Sequence, residues 1–170
     1  MSAVLSRWNR LPSKEAAQDI LACCGSGAWA RELASQRPFA DEGSLLRASD
    51  ETWNRLGPMD WLEAFAQHPR IGERKAARGA SRRSAGWSEQ EQGAVADAGQ
   101  AVQLSLAEAN REYERRFGRV FIVCASGKSA GEMLDILRRR LENDDTTELR
   151  EAAEEQRKIT NIRLKKWLAK

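Results

Sequence analysis

Apolar residues recur every three or four positions along most of the chain, the spacing that places them on one face of an α-helix. Four segments before position 69 have this pattern and end at a residue that interrupts helices. The predicted helices are KEAAQDILACC, capped by Ser13 and stopped by Gly25; GAWARELASQ, which ends near Pro38; DEGSLLRASDETWNRLG; and MDWLEAFAQH, which stops at His68 because Pro69 disfavours helical geometry in the residue before it.

The longest helical pattern runs from Ser88 to Phe117, and Gly118 ends it. Ser88 is predicted as its N-cap, because Glu91 three residues later completes the signature of a capping box. The apolar positions that recur along it at three- and four-residue steps are Val95, Val102, Leu106, Ala109 and Tyr113.

A single β-like run, VFIVCAS, follows at positions 120–126. It has no partner strands elsewhere, so we interpret it as a buried extended connector. Two more helices are predicted after it: SAGEMLDILRRRLEN, opened by a capping box of Ser129 and Glu132, and TTELREAAEEQRKITNIRLKKWLAK, whose inward stripe includes Gln156 and Arg163. The sequence therefore predicts an all-α fold, a single-domain helical bundle over residues 1–170 with one short, irregular, extended and buried connector.

Composition narrows the class of protein. With 170 residues, 41% hydrophobic and 31% charged, the chain suits one globular domain and is too polar for a membrane protein. The first residues, MSAVLSRWNRLPS, lack the features of a secretory signal, so a cytoplasmic location is expected. Three cysteines, two of them adjacent, and one histidine favour reduced structural thiols and give no reason to expect a protein-held metal. The net charge of +3 is too small to indicate a class of binding partner.

The candidate chemistry lies at the two ends of QHPRIGERKAARGASRRSAGWSEQEQ, residues 67–92. His68 is the only side chain here that titrates near neutral pH without a perturbed environment. Pro69 and Gly72 indicate a shaped, non-helical backbone around it, as at the rim of a pocket, although a purely structural histidine stays open. The other end is a predicted helix start that contains Ser88, Glu91 and Gln92. These side chains either only stabilise the helix end or also offer hydrogen-bonding groups to a polar ligand.

Six cations between these ends have two readings. They could contact the phosphates of a nucleic acid, or form a solvated basic loop that attracts a small anion. The cations are Arg70, Arg74, Lys75, Arg78, Arg82 and Arg83. A later SGKS stretch at 126–129 lacks the upstream glycine of a phosphate-binding loop, because position 122 is Ile, so a P-loop nucleotidase is rejected.

Several short motifs occur together in one order along nearly the whole chain. They are HPRIG at 68–72, S-x-x-EQ at 88–92, N-x-x-Y-x-x-x-FG-x-x-FIVCA-x-G-x-S at 110–129, and KITNIRL at 158–164. Each motif alone is weak, but the set is specific. It resembles the family of 2-oxo-4-hydroxy-4-carboxy-5-ureidoimidazoline (OHCU) decarboxylases.

The resemblance implies an all-helical, usually dimeric enzyme that needs no cofactor. It would convert OHCU to (S)-allantoin and CO2 in urate degradation, with possible functional coupling to hydroxyisourate hydrolase, and without a nucleic-acid or membrane partner. His68 would be the catalytic residue, with Glu91 sharing the proton transfer. The other residues implied to surround the substrate are Pro69, Ser88, Gln92, Phe121, Ile122, Val123, Cys124, Ala125 and Arg163. Two alternatives remain at this point: a nucleic-acid-binding module that uses residues 70–83, and a helical scaffold without chemistry.

Overall fold

The computed structural model describes residues 2–72 and 79–170. Within these ranges the chain forms ten helices and no strand, so the predicted all-α class is confirmed. The helices are α1 (Ala3–Trp8), α2 (Ser13–Cys24), α3 (Gly27–Ser35), α4 (Glu42–Arg55), α5 (Pro58–Phe65), α6 (Arg82–Glu91), α7 (Gly93–Ala96), α8 (Gln100–Phe117), α9 (Ala130–Arg140) and α10 (Asp145–Leu168).

The chain divides into two compact units. Unit 1 comprises Met1–Ala64 and Arg157–Lys170, and unit 2 comprises Phe65–Gln156. Helix α10 contributes its first half to unit 2 and its second half to unit 1. That residues 1–170 form a single domain stays a prediction.

Unit 1 is built around Trp8. Its ring stacks on Phe39 with 6.1 Å between the ring centroids and meets Trp167 edge-on at 5.7 Å. Its indole N–H donates a 2.8 Å hydrogen bond to the carbonyl of Ala16, so this large buried side chain leaves no unsatisfied donor. Trp8 belongs to α1, a helix that the hydrophobic pattern did not predict because its six residues are too short to show a helical period.

Unit 2 packs α8, α9 and the connector around one apolar core. Of the predicted connector at 120–126, residues 121–125 are all buried and adopt neither helix nor strand, so the prediction of a buried, irregular connector is confirmed for these five. Gly118 ends α8 in the left-handed region at φ +67°, as the glycine stop predicts. The side chains in this core that have no exposed surface are Leu106, Tyr113, Met133 and Leu137.

The prediction of one long helix from Ser88 to Phe117 is wrong in its first part. Helix α6 begins earlier, where the Ser81 hydroxyl accepts a 3.2 Å hydrogen bond from the Ser84 backbone N–H. Ser88 therefore lies in the last turn of α6 and is not the predicted N-cap. Gly93 and Gly99 lie at the two helix breaks, and glycine costs about 1 kcal/mol relative to alanine in a helix interior.

The other helix ends agree more closely with the sequence. Ser129 and Glu132 form the predicted capping box of α9, with both reciprocal hydrogen bonds present. Several boundaries differ by one to three residues from the predicted ones. The N-cap of α2 is Pro12 instead of Ser13, and α5 ends at Phe65, three residues before the predicted stop at His68.

A fully buried ion pair joins α9 to α10 in unit 2. The Arg140 guanidinium donates to one Glu148 carboxylate oxygen from Nη2 at 2.5 Å and from Nε at 2.9 Å, and neither side chain is exposed. The Tyr113 hydroxyl of α8 donates to the same oxygen at 2.5 Å. Burial and the neighbouring Glu148 raise the pKa of Tyr113, which keeps the phenol protonated as the donor.

The same arginine also holds the connector. Arg140 Nη1 donates a 2.5 Å hydrogen bond to the carbonyl of Ile122, and the guanidinium lies 4.6 Å from the centroid of the Phe121 ring. One buried cation therefore contacts α10 and the connector at once. The connector has no ladder or helical hydrogen bonds of its own, so its position depends on contacts of this kind.

Replacing Arg140 by methionine should destabilise the protein by about 3–5 kcal/mol, because Glu148 and the Ile122 carbonyl would stay buried without their cation. The measurement is the free energy of unfolding from urea titration. Arg139→Met is the matched control, since its partner Glu151 is on the surface and such pairs contribute about 0–1 kcal/mol. Equal losses in the two variants would contradict the structural role assigned to Arg140.

Candidate functional site

His68 follows the last turn of α5 and is fixed at both its backbone and its side chain. Its backbone N–H donates to the carbonyl of Phe65 at 3.0 Å. Its ring is only 9% exposed, and Nε2 lies 2.7 Å from Oε1 of Gln156, a residue of α10 with no exposed surface. The only histidine of the chain is thus a buried, hydrogen-bonded side chain in unit 2.

The segment His68–Gly72 is held in place by side chains of α8 and by Gln92. Asn110 donates to the carbonyl of Ile71 at 3.1 Å, and the Gly72 N–H donates to Gln92 Oε1 at 3.0 Å. Gly72 has φ +89°, a conformation that a side chain would strain. The backbone after His68 is therefore shaped by several independent contacts.

The end of α6 carries three of the residues implied by the motifs. Ser88 is buried, with 3% of its surface exposed, Glu91 is the half-buried last residue of the helix, and Gln92 is its C-cap. The Gln92 oxygen already binds Gly72, so this side chain has a structural contact beside any contact to a ligand.

The connector is tied to α10 through Cys124. Its backbone N–H donates to Oε2 of Glu155 at 2.7 Å, and its carbonyl accepts a 2.7 Å hydrogen bond from the Lys128 ammonium. Burial raises the pKa of the Cys124 thiol, and the negative charges of Glu155 and Glu91 add to the rise. Glu91 is therefore within electrostatic range of the connector.

Hydrogen bonds and one electrostatic interaction link four segments within unit 2. Two adjacent residues of α10, Glu155 and Gln156, hold the connector and His68 respectively. At the end of α6, the charge of Glu91 acts electrostatically on Cys124 of the connector, and the adjacent Gln92 binds Gly72. We call these four segments, residues 68–72, 88–92, 121–125 and 155–156, the contact ring. It brings together every predicted site residue except Arg163.

Arg163 lies in unit 1. Only 1% of its surface is exposed, as its place on the inward stripe of α10 predicts, and its Nη1 donates a 3.4 Å hydrogen bond to the carbonyl of Ala22. The neighbouring Cys24 has its pKa raised to about 12, chiefly by burial, while the charge of Arg163 opposes the rise. A thiol with that pKa is protonated and unreactive at neutral pH.

Sequence reasoning did not assign Glu155, Gln156 or Asn110 to the site. Gln156 was placed on the inward stripe of α10, and a polar residue at an apolar position is the one signal that could have identified it. Its partner His68 is 88 positions away in the sequence, and no local pattern connects the two.

The basic stretch is described only in part. Arg74, Lys75 and Arg78 fall outside the described residues. Arg70 forms an ion pair with Glu114 of α8, and Arg82 is the exposed first residue of α6. The expectation that these cations attract an anion stays a prediction.

Three further features of residues 2–72 and 79–170 bear on the kind of site that this part of the chain contains. No three His, Cys, Asp or Glu side chains there are grouped as metal ligands would be. None of the described helices is both long and apolar enough to cross a bilayer. An open groove of about 650 Å³ between α3 and α4 in unit 1, which includes Arg31, Thr52 and Arg55, contains none of the predicted site residues.

Comparison with known proteins gives consistent matches. The family model described as OHCU decarboxylase matches residues 9–165. The chain is 40% identical to the uric acid degradation bifunctional protein TTL of Arabidopsis thaliana over 85% of its length, and it spans only 44% of that relative. It is 34% identical to the 2-oxo-4-hydroxy-4-carboxy-5-ureidoimidazoline decarboxylase of Amia calva, over 76% of this chain and 74% of that one.

A solved structure agrees with these sequence matches. The crystal structure of OHCU decarboxylase in the presence of (S)-allantoin superposes with a TM-score of 0.75 at 34% identity, over 88% of this chain and 96% of that one. The family model covers most of the sequence, including all four motifs at 68–72, 88–92, 110–129 and 158–164. The chain therefore belongs to the OHCU decarboxylase family.

Proposed function

We propose that this chain catalyses the cofactor-independent decarboxylation of OHCU to (S)-allantoin and CO2 in urate degradation. The observation that carries the proposal is the contact ring, because it assembles a buried histidine, a half-buried carboxylate and a non-helical backbone segment within one unit. Membership of the family and the names of its relatives support it.

The substrate supplies its own electron sink. When the carboxylate leaves as CO2, its bonding electron pair forms a double bond to the adjacent ring carbon, the imine electrons move onto the ring nitrogen, and that nitrogen takes up one proton from solvent. The enol that results then becomes a carbonyl: its hydroxyl loses one proton and the neighbouring carbon gains one. The protein therefore has to hold the carboxylate, move protons and select one face of that carbon.

His68 and Glu91 are the groups proposed for the proton transfers. An imidazole and a carboxylate can each give and accept a proton, and a positioned acid or base contributes about 10²–10⁴-fold to a rate. His68 is held by Gln156, and Glu91 acts on the connector from the end of α6. Both lie in the contact ring, so one substrate could meet them together.

The remaining predicted residues would orient the substrate. Pro69, Ser88 and Gln92 adjoin the proposed acid and base, and the connector at 121–125 would line the same site. Four of its backbone groups already have protein partners: the carbonyl of Ile122, the N–H and carbonyl of Cys124, and the carbonyl of Ala125, which accepts from the Lys128 N–H at 3.1 Å. A ligand would contact the connector through its other atoms, so those four bonds serve to fix its shape.

Arg163 is proposed to bind the substrate carboxylate. Its planar guanidinium can bind a carboxylate through two parallel hydrogen bonds, and its burial in a helix stripe restricts its orientation. In unit 1 its Nη1 donates a long hydrogen bond of 3.4 Å to the carbonyl of Ala22.

We also propose that the chain forms a homodimer and is located in the cytoplasm. Its reaction would be functionally coupled to that of hydroxyisourate hydrolase. The coupling is supported by relatives named as uric acid degradation bifunctional proteins, in Arabidopsis thaliana and in a Bacillus species. This chain covers 44% and 27% of those two proteins, which leaves room in each for a second activity.

A coupled assay tests the function. Urate, urate oxidase and hydroxyisourate hydrolase generate the unstable substrate in the cuvette, and circular dichroism follows optically active allantoin. Adding the chain should speed formation of (S)-allantoin over the slow racemic background, because the enzyme protonates only one face. A trace that matches the reaction without the chain would contradict the proposal.

Two substitutions test the proton transfers. His68→Asn and Glu91→Gln should each lower kcat by about 10²–10⁴-fold, since each removes a group that exchanges a proton with the substrate. Glu89→Gln is the matched control, because Glu89 is an exposed carboxylate on the same turn of α6 and should leave kcat unchanged. Wild-type turnover in either test variant would remove that residue from the mechanism.

Arg163 is tested through KM. Arg163→Gln should raise KM by about tenfold or more, because a hydrogen bond to a charged group contributes about 1.5–3 kcal/mol. Arg163→Lys keeps the charge without the planar fork and should have an intermediate KM. Both proteins should be checked for a native unfolding transition, and an unchanged KM in a folded Arg163→Gln protein would exclude Arg163 from substrate binding.

A further inference from the structure

The contact between His68 and Gln156 constrains where the imidazole carries its proton. The 2.7 Å separation joins ring Nε2 to the amide oxygen Oε1, and a carbonyl oxygen has lone pairs but no hydrogen to give. The ring nitrogen must therefore be the donor. A neutral imidazole has one N–H, so in this arrangement Nε2 is protonated and Nδ1 carries the lone pair.

Burial makes this constraint strong. Gln156 has no exposed surface and His68 has 9%, so water competes little for the bond between them. A buried donor or acceptor that loses its partner also pays the cost of desolvation, which favours keeping both groups paired. Gln156 is one residue from Glu155, whose bond to the Cys124 N–H fixes this turn of α10 against the connector.

We propose that Gln156 is a positioning residue that holds His68 in its Nε2–H form, and that Nδ1 is consequently the nitrogen that exchanges protons with the substrate. The second part rests on the proposed decarboxylase function. The substrate hydroxyl loses one proton and the adjacent carbon gains one, so Nδ1 can take up the first and return the second with no net change in His68. The Nε2 proton stays on the imidazole throughout, where it is donated to Gln156 Oε1.

Because the chain has a single histidine, its ring can be observed without assignment. The full-length protein is labelled with ¹⁵N-histidine, and the two ring nitrogens are distinguished by their ¹⁵N shifts and their couplings to the ring C–H protons. In the neutral form we expect the proton on Nε2, with a directly detected N–H signal because exchange with water is slowed. In Gln156→Leu that proton should exchange rapidly with water because its acceptor is gone. The N–H signal should then no longer be observed.

Gln103→Leu is the matched control for the spectrum. Gln103 is also a helical glutamine whose side chain hydrogen-bonds to protein, through its amide nitrogen to backbone carbonyls of residues 95, 96 and 98. It does not contact His68, so its replacement should leave the ring N–H signal in place. A proton on Nδ1 in the wild type, or an N–H signal that survives in Gln156→Leu, would overturn the assignment.

Turnover provides the second readout. Gln156→Leu should lower kcat by about tenfold with little change in KM, since the imidazole remains but its orientation is no longer fixed. Gln156→Glu, whose ionised carboxylate also accepts from Nε2–H, should recover part of the loss. If Gln156→Leu turns over like the wild type, the positioning role is wrong.

The two readouts separate this inference from the proposed function. Failure of the proposed function would appear as no turnover in the wild-type protein, and the ring spectrum would still report on Gln156. An active wild type with the proton on Nδ1 would instead contradict the inference alone.

Discussion

The arrangement of unit 2 depends on keeping a charge pair and a non-helical backbone buried in the same core. Arg140 and Glu148 neutralise each other without exposure to water, and Arg140 also satisfies the carbonyl of Ile122. A buried segment outside any helix has backbone groups that need partners, and here side chains supply them. The connector can therefore run through the core of an all-α protein in one fixed conformation. The geometry of the proposed site depends on that conformation.

Helix α10 relates this structural core to the proposed chemistry. Its Glu148 completes the buried ion pair, and two turns later Glu155 and Gln156 hold the connector and His68. Polar side chains thus occupy several inward positions of a helix whose inward stripe also carries apolar residues. Each has a specific partner, which offsets the cost of removing it from water. If catalysis is cofactor-independent, as proposed, the rate has to come from the placement of the reacting groups, and positioning can supply about 7–11 kcal/mol of a barrier.

Local pattern was enough to predict the helices with long apolar stripes, the glycine stop at 118, the capping box at 129–132 and the buried connector. Predictions from local pattern were wrong where tertiary contacts, and not the local sequence, determine the structure. Apolar spacing continues from Val95 to Val102 across the break beside Gly99, and Ser88 with Glu91 has the signature of a helix start, so the end of α6, α7 and α8 were predicted as one helix. Charged residues are expected on the surface, so nothing marked Arg140 and Glu148 as buried. His68, Glu91 and the connector were predicted as site residues from motifs, whereas the partners that hold His68 and the connector are distant in sequence.

The most direct test of the proposed chemistry is to follow the bond that breaks. OHCU labelled with ¹³C in its carboxylate is generated in place, and ¹³C NMR monitors the label in the presence of increasing amounts of the protein. We expect the label to pass into CO2 and bicarbonate at an initial rate proportional to protein concentration. A rate of label release equal to that of the spontaneous reaction at every protein concentration would contradict the assignment of this chain as a decarboxylase.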